Sequence, residues 1–337
     1  MIDTPMRAIR IEEYGGPAVM ALRTIPIPMP GAGEVLVKVS HAGINFMDIH
    51  TRQGKYRNSR TYPVPLPCTL GVEGAGVVVE TGKETSPFTI GDRVAWCISW
   101  GSYADYAVVP VSKLAKVPAA LPLEIASAVL FHGCTAHYLV HDVGRLQPGM
   151  SCLVHGASGG IGQMLVQMAS RLGAAVYATT SSDERSRRVR SLGAGEVFGY
   201  DGGRFADRIR HATAGRGVDV VFDALGKDTL RDSLRATRTR GLVVNYGSVS
   251  GSAKDLDPIE LGEAGSLYLT RPRLADHLAD QPTVQRRADA IFAAVLLGHL
   301  EVTLAGRYRL ETVQDGLDAL ERRRSVGKPL LVIGGEA

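Results

Sequence analysis

The alternation of apolar and polar positions changes character once along this chain. Residues 6–127 carry short alternating runs, such as Val35-Leu-Val-Lys-Val39 and Gly76-Val-Val-Val79, set apart by glycines and prolines. Successive side chains on a strand point to opposite faces, so this pattern predicts a β-rich domain of partly closed sheet. From Leu130 onward, short apolar runs alternate with stretches of helical periodicity. Strands are predicted at 151–156, 174–180, 196–200, 218–224, 241–247 and 266–271, and helices at 160–172, 183–192, 203–213 and 228–237. That rhythm belongs to an α/β doubly wound parallel sheet, and six strands suit one full dinucleotide-binding domain. An apolar helix at 287–297 and a strand at 328–333 have no place in a completed sheet. They are expected to return to the first domain and leave a cleft between the two. The resulting divisions are 1–127, 128–271 and 272–337. A length of 337 residues allows two cores, because a single core stops growing at roughly 250 to 300 residues.

The predicted strand at 151–156 runs into His155-Gly-Ala-Ser-Gly-Gly-Ile-Gly162, which opens the next helix. In the dinucleotide fingerprint the first small residue permits a tight turn. The second lets a pyrophosphate reach the backbone, and the third lets helix and strand approach closely. Ala157, Gly159 and Gly162 take those places, and Gly160 adds a further bare position. The N–H groups at the helix start would face the phosphates, at the positive end of the helix dipole. Glycines also punctuate ordinary turns, so the cluster alone is weak evidence.

The end of the second predicted strand separates two cofactors. An NAD site places an acid about 20 residues past the glycines, to hold the ribose 2′-hydroxyl. Here the strand ends Ala178-Thr-Thr-Ser-Ser182, and Arg185, Arg187 and Arg188 follow. A guanidinium suits a phosphate dianion, which favours NADPH over NADH. Asp183 is the opposing candidate; it also fits a helix N-terminal residue that offsets the dipole.

Composition narrows the class without deciding it. An apolar fraction of 45% and a charged fraction of 21% are those of a globular protein. The net charge of +4 argues against strong RNA affinity. The runs at 185–190 and 322–324 are too short for a polybasic tail and read as solvated helix faces unless one of them meets a phosphate. The cysteines, Cys68, Cys97, Cys134 and Cys152, form no CxxC pair, so neither a disulfide framework nor a structural zinc lobe is supported. No uninterrupted apolar run reaches the roughly 18 residues of a membrane span, and no signal-peptide core opens the chain, so a reduced, cytoplasmic setting is expected. The proline-bearing loop at 56–68 is either a binding lid or a passive excursion.

With these features in place the chain resembles the medium-chain dehydrogenases/reductases, and more narrowly the zinc-free NADPH:quinone oxidoreductases related to zeta-crystallin. The resemblance rests on Gly15-Gly-Pro17, Gly43-Ile-Asn-Phe-Met-Asp48, Gly91-Asp-Arg-Val94, His155 to Gly162, Asp223-Ala-Leu-Gly226 and Gly265-Ser-Leu-Tyr-Leu-Thr-Arg-Pro272. It implies a GroES-like catalytic domain, a Rossmann domain and a homodimer paired through the edge strand at 266–270. Zinc-dependent alcohol dehydrogenases of the superfamily carry a cysteine where this chain has Asn45, and a His-Glu pair where it has Val72-Glu73. Amide and valine cannot replace those ligands, so no metal is expected and the acceptor must already be electrophilic: a quinone or an activated enone.

The resemblance also implies roles for individual residues. Asn45, Phe46 and Asp48 would line the cleft near the nicotinamide. Asn45 would hydrogen-bond the reduced oxygen, while Asp48 is either functional or a buried turn carboxylate. His50 stands where bacterial relatives often have tyrosine, and is either a proton relay or a solvent-facing side chain. Thr135 and Tyr138 would contact the cofactor or simply pack. Gly160, Ile161 and Gly162 match the pyrophosphate turn, Ser181 and Arg185 the 2′-phosphate, and Tyr200 the adenosine ribose. Leu225 belongs to the cofactor side, as do Tyr246, Gly247 and Ser248, which end the fifth strand where open α/β sheets bind ligands. Thr270, Arg271 and Arg323 complete the set. The segment between Tyr56 and Gly71 is longer than in the bacterial quinone reductases. Three functions remain open: a quinone reductase, an enoyl or 2-alkenal reductase on the same fold, and a nucleotide- or RNA-binding protein without turnover.

Overall fold

In the computed structural model, which describes residues 5–200 and 205–334, the chain divides into two units. One is Met1–Cys134 with His277–Ala337, and the other is Thr135–Asp276. The first unit runs through β1 (Pro5–Ile11), β2 (Met20–Pro26), β3 (Glu34–Gly43), α1 (Phe46–Arg52), β4 (Cys68–Thr69), β5 (Glu73–Thr81), β6 (Arg93–Cys97), β7 (Tyr106–Pro110), β8 (Leu114–Lys116) and α2 (Leu123–Tyr138). The division between the units falls inside α2, between Cys134 and Thr135.

β3 organises this unit. It pairs antiparallel with β5 along one edge, and with β7 along residues 34–38 of the other. Its register against β5 breaks between Leu36 and Val37 and again between Val39 and His41, and such irregularities bend a sheet. The bent sheet wraps Val35, Val37 and Val39 around Val78, Val94, Trp96 and Val109.

The second unit runs through β9 (Ser151–Val154), α3 (Gly160–Arg171), β10 (Ala175–Thr179), α4 (Asp183–Ser191), β11 (Glu196–Phe198), α5 (Phe205–Ala212), β12 (Val218–Asp223), α6 (Leu230–Ala236), β13 (Thr237–Asn245), α7 (Pro258–Glu263) and β14 (Tyr268–Thr270). All six strands are parallel, in the order β11-β10-β9-β12-β13-β14. This is the doubly wound dinucleotide order, with the reversal beside β9. The observed strands and helices fall within a few residues of the predicted ones. Residues 203 and 204 of the predicted helix at 203–213 lie outside the described residues.

The chain then joins the first unit again through α8 (Gln281–Leu296), β15 (Leu304–Tyr308), α9 (Val313–Glu321) and β16 (Lys328–Val332). β16 adds antiparallel to the part of β3 that β7 leaves unpaired, with Leu330 opposite Gly43 and Leu331 opposite Ala42. α9 lies close to α1: a methyl group at Gly316 would stand 2.5 Å from the Ile44 side chain. Leu317 and Leu331 share a core with Ile9, Ile44 and Ile49. The helical stretch Leu123–Val143 is long and apolar enough to cross a membrane by composition, but 78% of its most apolar window is buried within the fold, which makes it a core helix.

Candidate active site

In the second unit the glycine turn leaves the end of β9, next to the ends of β10 and β12. Gly156 turns the chain at φ +64, and the Ala157 N–H bonds the Thr179 carbonyl at 3.2 Å, tying the turn to β10. A Cβ on Gly162 would stand 2.4 Å from the Gly156 carbonyl oxygen and 2.7 Å from the Ala157 Cα, so only glycine lets α3 start this close to the turn. Helix geometry leaves the first-turn N–H groups of Gly160, Ile161 and Gly162 without intrahelical carbonyls. Free donors at a helix start, with the helix dipole, suit an anion.

Around the turn stand several of the predicted residues. The Tyr200 hydroxyl accepts from the Gly156 N–H at 2.9 Å. The Leu225 side chain lies beside Gly156, 3.5 Å from where a Cβ there would be. Gly247 runs against the turn after β12, since its Cβ would meet the Ala224 carbonyl at 2.1 Å. Tyr246 and Ser248 flank it, half-buried. Ser181 is exposed beyond β10, and Ser182 caps α4 by accepting from the Arg185 N–H at 3.3 Å. Asp183 is the exposed first residue of α4. Thr135 and Tyr138 are buried in the last turn of α2.

Arg271 follows β14. Its guanidinium donates to the Asn245 carbonyl at 2.8 Å, to Asn245 Oδ1 at 3.0 Å and to the Gly247 carbonyl, which fastens β14 to the end of β13. Thr270 is half-buried in β14. Below the turn, His155 is fully buried, with Nδ1 at 2.8 Å from Thr179 Oγ1 and Nε2 at 3.0 Å from Ser233 Oγ. Burial lowers its pKa, partly offset by Asp223, whose carboxylate accepts from Ser233 and from the N–H groups of Leu225 and Gly226. The network braces β9, β10 and β12 under the glycines.

The first unit carries a buried polar cluster centred on Asn45, the N-cap of α1. Asn45 is 3% exposed. Its Nδ2 donates to Glu73 Oε1 at 2.8 Å and makes a longer 3.3 Å contact with the Gly43 carbonyl. Its Oδ1 accepts from Lys328 Nζ at 2.7 Å. Lys328 and Glu73 form an ion pair, with side chains 2% and 0% exposed. The Glu73 Oε2 also accepts from the Phe131 N–H at 3.2 Å. The His132 Nε2 lies 3.4 Å from the Lys328 ammonium; burial first and that charge second hold its pKa well below the ordinary value, keeping the ring neutral. No side chain fits at Gly43, where a Cβ would stand 2.2 Å from Glu73 Oε1.

Asp48 lies beneath this group with no exposure. Its Oδ2 accepts from the Asn45 N–H and from the Tyr103 hydroxyl, both at 2.8 Å. Burial, only partly offset by those two bonds, pushes its pKa up to about 7. A raised acid holds a proton in the folded state that the unfolded chain releases above about 3.9. The stability that Asp48 contributes is therefore fully present at acid pH and falls as pH rises to about 7. In urea unfolding between about pH 5 and about pH 8, Asp48 should contribute a falling slope of up to several kcal/mol, set against a rising slope from the buried neutral His132 and His155. Asp48→Asn should remove the falling slope; an unchanged pH dependence would remove Asp48 as its source.

His50 is half-buried on α1, its Nδ1 3.4 Å from the Tyr56 hydroxyl. Tyr56 meets Tyr62 edge-on at 5.6 Å, and Tyr62 meets Trp100 at 6.3 Å. This aromatic ladder, with the Tyr14 hydroxyl on the Val64 carbonyl at 2.8 Å, fastens the long loop to its unit. Phe46 opens α1 and packs on the Ile44–Leu317 core. Arg323 is exposed just after α9, at φ +55.

Two family models match: Alcohol dehydrogenase GroES-like domain over residues 31–119 and Zinc-binding dehydrogenase over 160–271. A quinone oxidoreductase of Pseudomonas aeruginosa is 35% identical over 328 residues, covering 97% of this chain and 99% of that protein. The chain belongs to the quinone oxidoreductase family. A 2-haloacrylate reductase of a Burkholderia species is 34% identical, covering 96% of this chain and 97% of that protein. The solved structure of Escherichia coli quinone oxidoreductase complexed with NADPH has a TM-score of 0.92 at 31% identity, covering 97% of this chain and 99% of that one.

Within this quinone oxidoreductase fold, Gly156 to Gly162, Tyr200, Leu225 and Gly247 come together in the second unit, and Asn45, Asp48 and His50 share α1 and its cap in the first. Sequence reading missed Lys328, His132 and Tyr103. Lys328 opens an apolar strand 255 positions from Glu73, and no local pattern pairs residues so far apart.

Proposed function

We propose that this protein is an NADPH-dependent reductase that passes a hydride to a quinone. The observation that carries the reading is the end of β10. Ser181 and Ser182 and then Arg185 follow that strand, with no acid at its end, beside a glycine turn at the end of β9. Backbone N–H groups of Gly160 to Gly162 would hold the pyrophosphate, and Ser181 with Arg185 the 2′-phosphate. The bare approach at Gly162 fits such a group, because it lets α3 start against the turn with its first N–H groups at the turn. The cofactor, when bound, supplies the hydride. Tyr200 and Leu225 would cover its adenosine side and the middle of its length. Tyr246 and Ser248 at the end of β13, with Thr135 and Tyr138 on α2, belong to the same reading.

Zinc does not fit the first unit. Position 72 is valine, and the Asn45 carboxamide and Glu73 carboxylate already share the Lys328 ammonium. Among the described residues no group of three or more His, Cys, Asp or Glu could hold a metal ion. The acceptor therefore has to be electrophilic without a Lewis acid. On this reading Asn45 hydrogen-bonds the oxygen that gains charge, and His50, in contact with Tyr56, relays the proton.

A second reading, reduction of an activated alkene, is favoured by the 34% identity to a 2-haloacrylate reductase. Steady-state kcat/KM with NADPH should be higher for a naphthoquinone than for a 2-alkenal or 2-haloacrylate; the reverse order would assign the enzyme to alkenes. The reading includes a homodimer paired through β14, an edge strand whose Tyr268 is 61% exposed. It also includes a reducing, cytoplasmic setting, in keeping with four buried free thiols.

A further inference from the structure

We propose that the buried Lys328–Glu73 pair is an electrostatic clamp on Asn45, and that Lys328 is a positioning residue for acceptor reduction. The inference rests on the reading that the acceptor oxygen bonds Asn45. A carboxamide can be turned over with little change in shape, so its orientation has to be set by its neighbours. Here they leave one choice. An ammonium has only donors, so Oδ1 faces Lys328; an ionised carboxylate has only acceptors, so Nδ2 faces Glu73.

The clamp also changes the chemistry of the amide. A cation on Oδ1 draws electron density away from nitrogen and strengthens both N–H groups as donors, an effect that a low-dielectric interior amplifies. One of those N–H groups is held by Glu73 at 2.8 Å. The other makes only the 3.3 Å contact with the Gly43 carbonyl, so it is the donor an acceptor oxygen can take over. Negative charge developing on that oxygen would be felt, through the amide, by a fixed ammonium that needs no reorganisation. His132 adds no competing charge because its ring stays neutral, and the Phe131 ring, 5.9 Å from Nζ, presents its face to the same cation.

Truncating Lys328 alone would strand Glu73, so the deciding variant removes both charges: E73Q/K328M. Replacing a buried ion pair by neutral groups of similar volume is often neutral for stability. The double variant should therefore stay folded, and its NADPH affinity, read by cofactor fluorescence, should match wild type. Its kcat with a quinone should fall on the order of 100-fold. K328R, which keeps the charge, should recover most of the rate. Side-chain resonances of 15N-asparagine-labelled protein give a readout independent of turnover: the Asn45 amide protons should exchange slowly in wild type and fast in the double variant. A folded double variant with wild-type kcat, or with unchanged Asn45 exchange, overturns the clamp. If wild type reduces neither quinones nor alkenes, the functional reading fails instead, and the Asn45 exchange still decides whether the clamp exists.

Discussion

Gly162→Val should abolish NADPH binding and lower the melting temperature together. The added Cβ would stand 2.4 Å from the Gly156 carbonyl oxygen and 2.7 Å from the Ala157 Cα, and both are backbone atoms that cannot rotate away. α3 must shift off the turn, and its first-turn N–H groups lose their aim at the pyrophosphate. Overpacking of this kind costs about 1–3 kcal/mol, and loss of several phosphate hydrogen bonds lowers affinity by about 100-fold or more. Thermal unfolding and cofactor fluorescence would check both. A variant that keeps wild-type NADPH affinity would show that the turn does not hold the phosphates.

The second large effect belongs to Lys328→Met. Glu73 has no exposed surface, so removing its cation leaves a carboxylate in the interior of the first unit. Breaking a buried pair from one side typically costs 3–5 kcal/mol, far above the value of a surface ion pair. The variant should unfold roughly 4–7 °C below wild type, by the usual scaling of melting temperature with stability for a protein of this size. E73Q/K328M should recover most of the loss. If the single variant is as stable as wild type, the pair contributes no net electrostatic energy and the geometry around Asn45 is set by packing alone.

How much of this was legible in the sequence depended on the range of the interactions involved. The parallel sheet was readable because each strand and helix carries its own period, and the glycine turn because its steric demand is local: Gly162 meets Gly156 and Ala157, a few residues away. The cap of α1 illustrates the opposite case. Asn45 and Asp48 stand three positions apart and suggest a local capping pair, and the Asn45 N–H does bond the Asp48 carboxylate. The Asn45 side chain, however, turns away to Glu73 and Lys328, which arrive on β5 and β16. Only the pairing of β16 with β3 brings the lysine there. The contacts of Arg271 are of the same long-range kind: its guanidinium donates to the carbonyls of Asn245 and Gly247, on another strand end.

Hydroxyls and Arg185 at the end of β10 are proposed to select NADPH over NADH. The most direct test is initial-rate cofactor oxidation with one naphthoquinone, comparing NADPH with NADH for wild type and Arg185→Ala. Wild type should oxidise NADPH with a kcat/KM at least about 10-fold above NADH, the scale of one charge-assisted phosphate contact. Arg185→Ala should lose most of that preference by weakening NADPH alone, leaving NADH nearly unchanged. Equal use of the two cofactors by wild type, or an equal loss of both in the variant, would contradict the account.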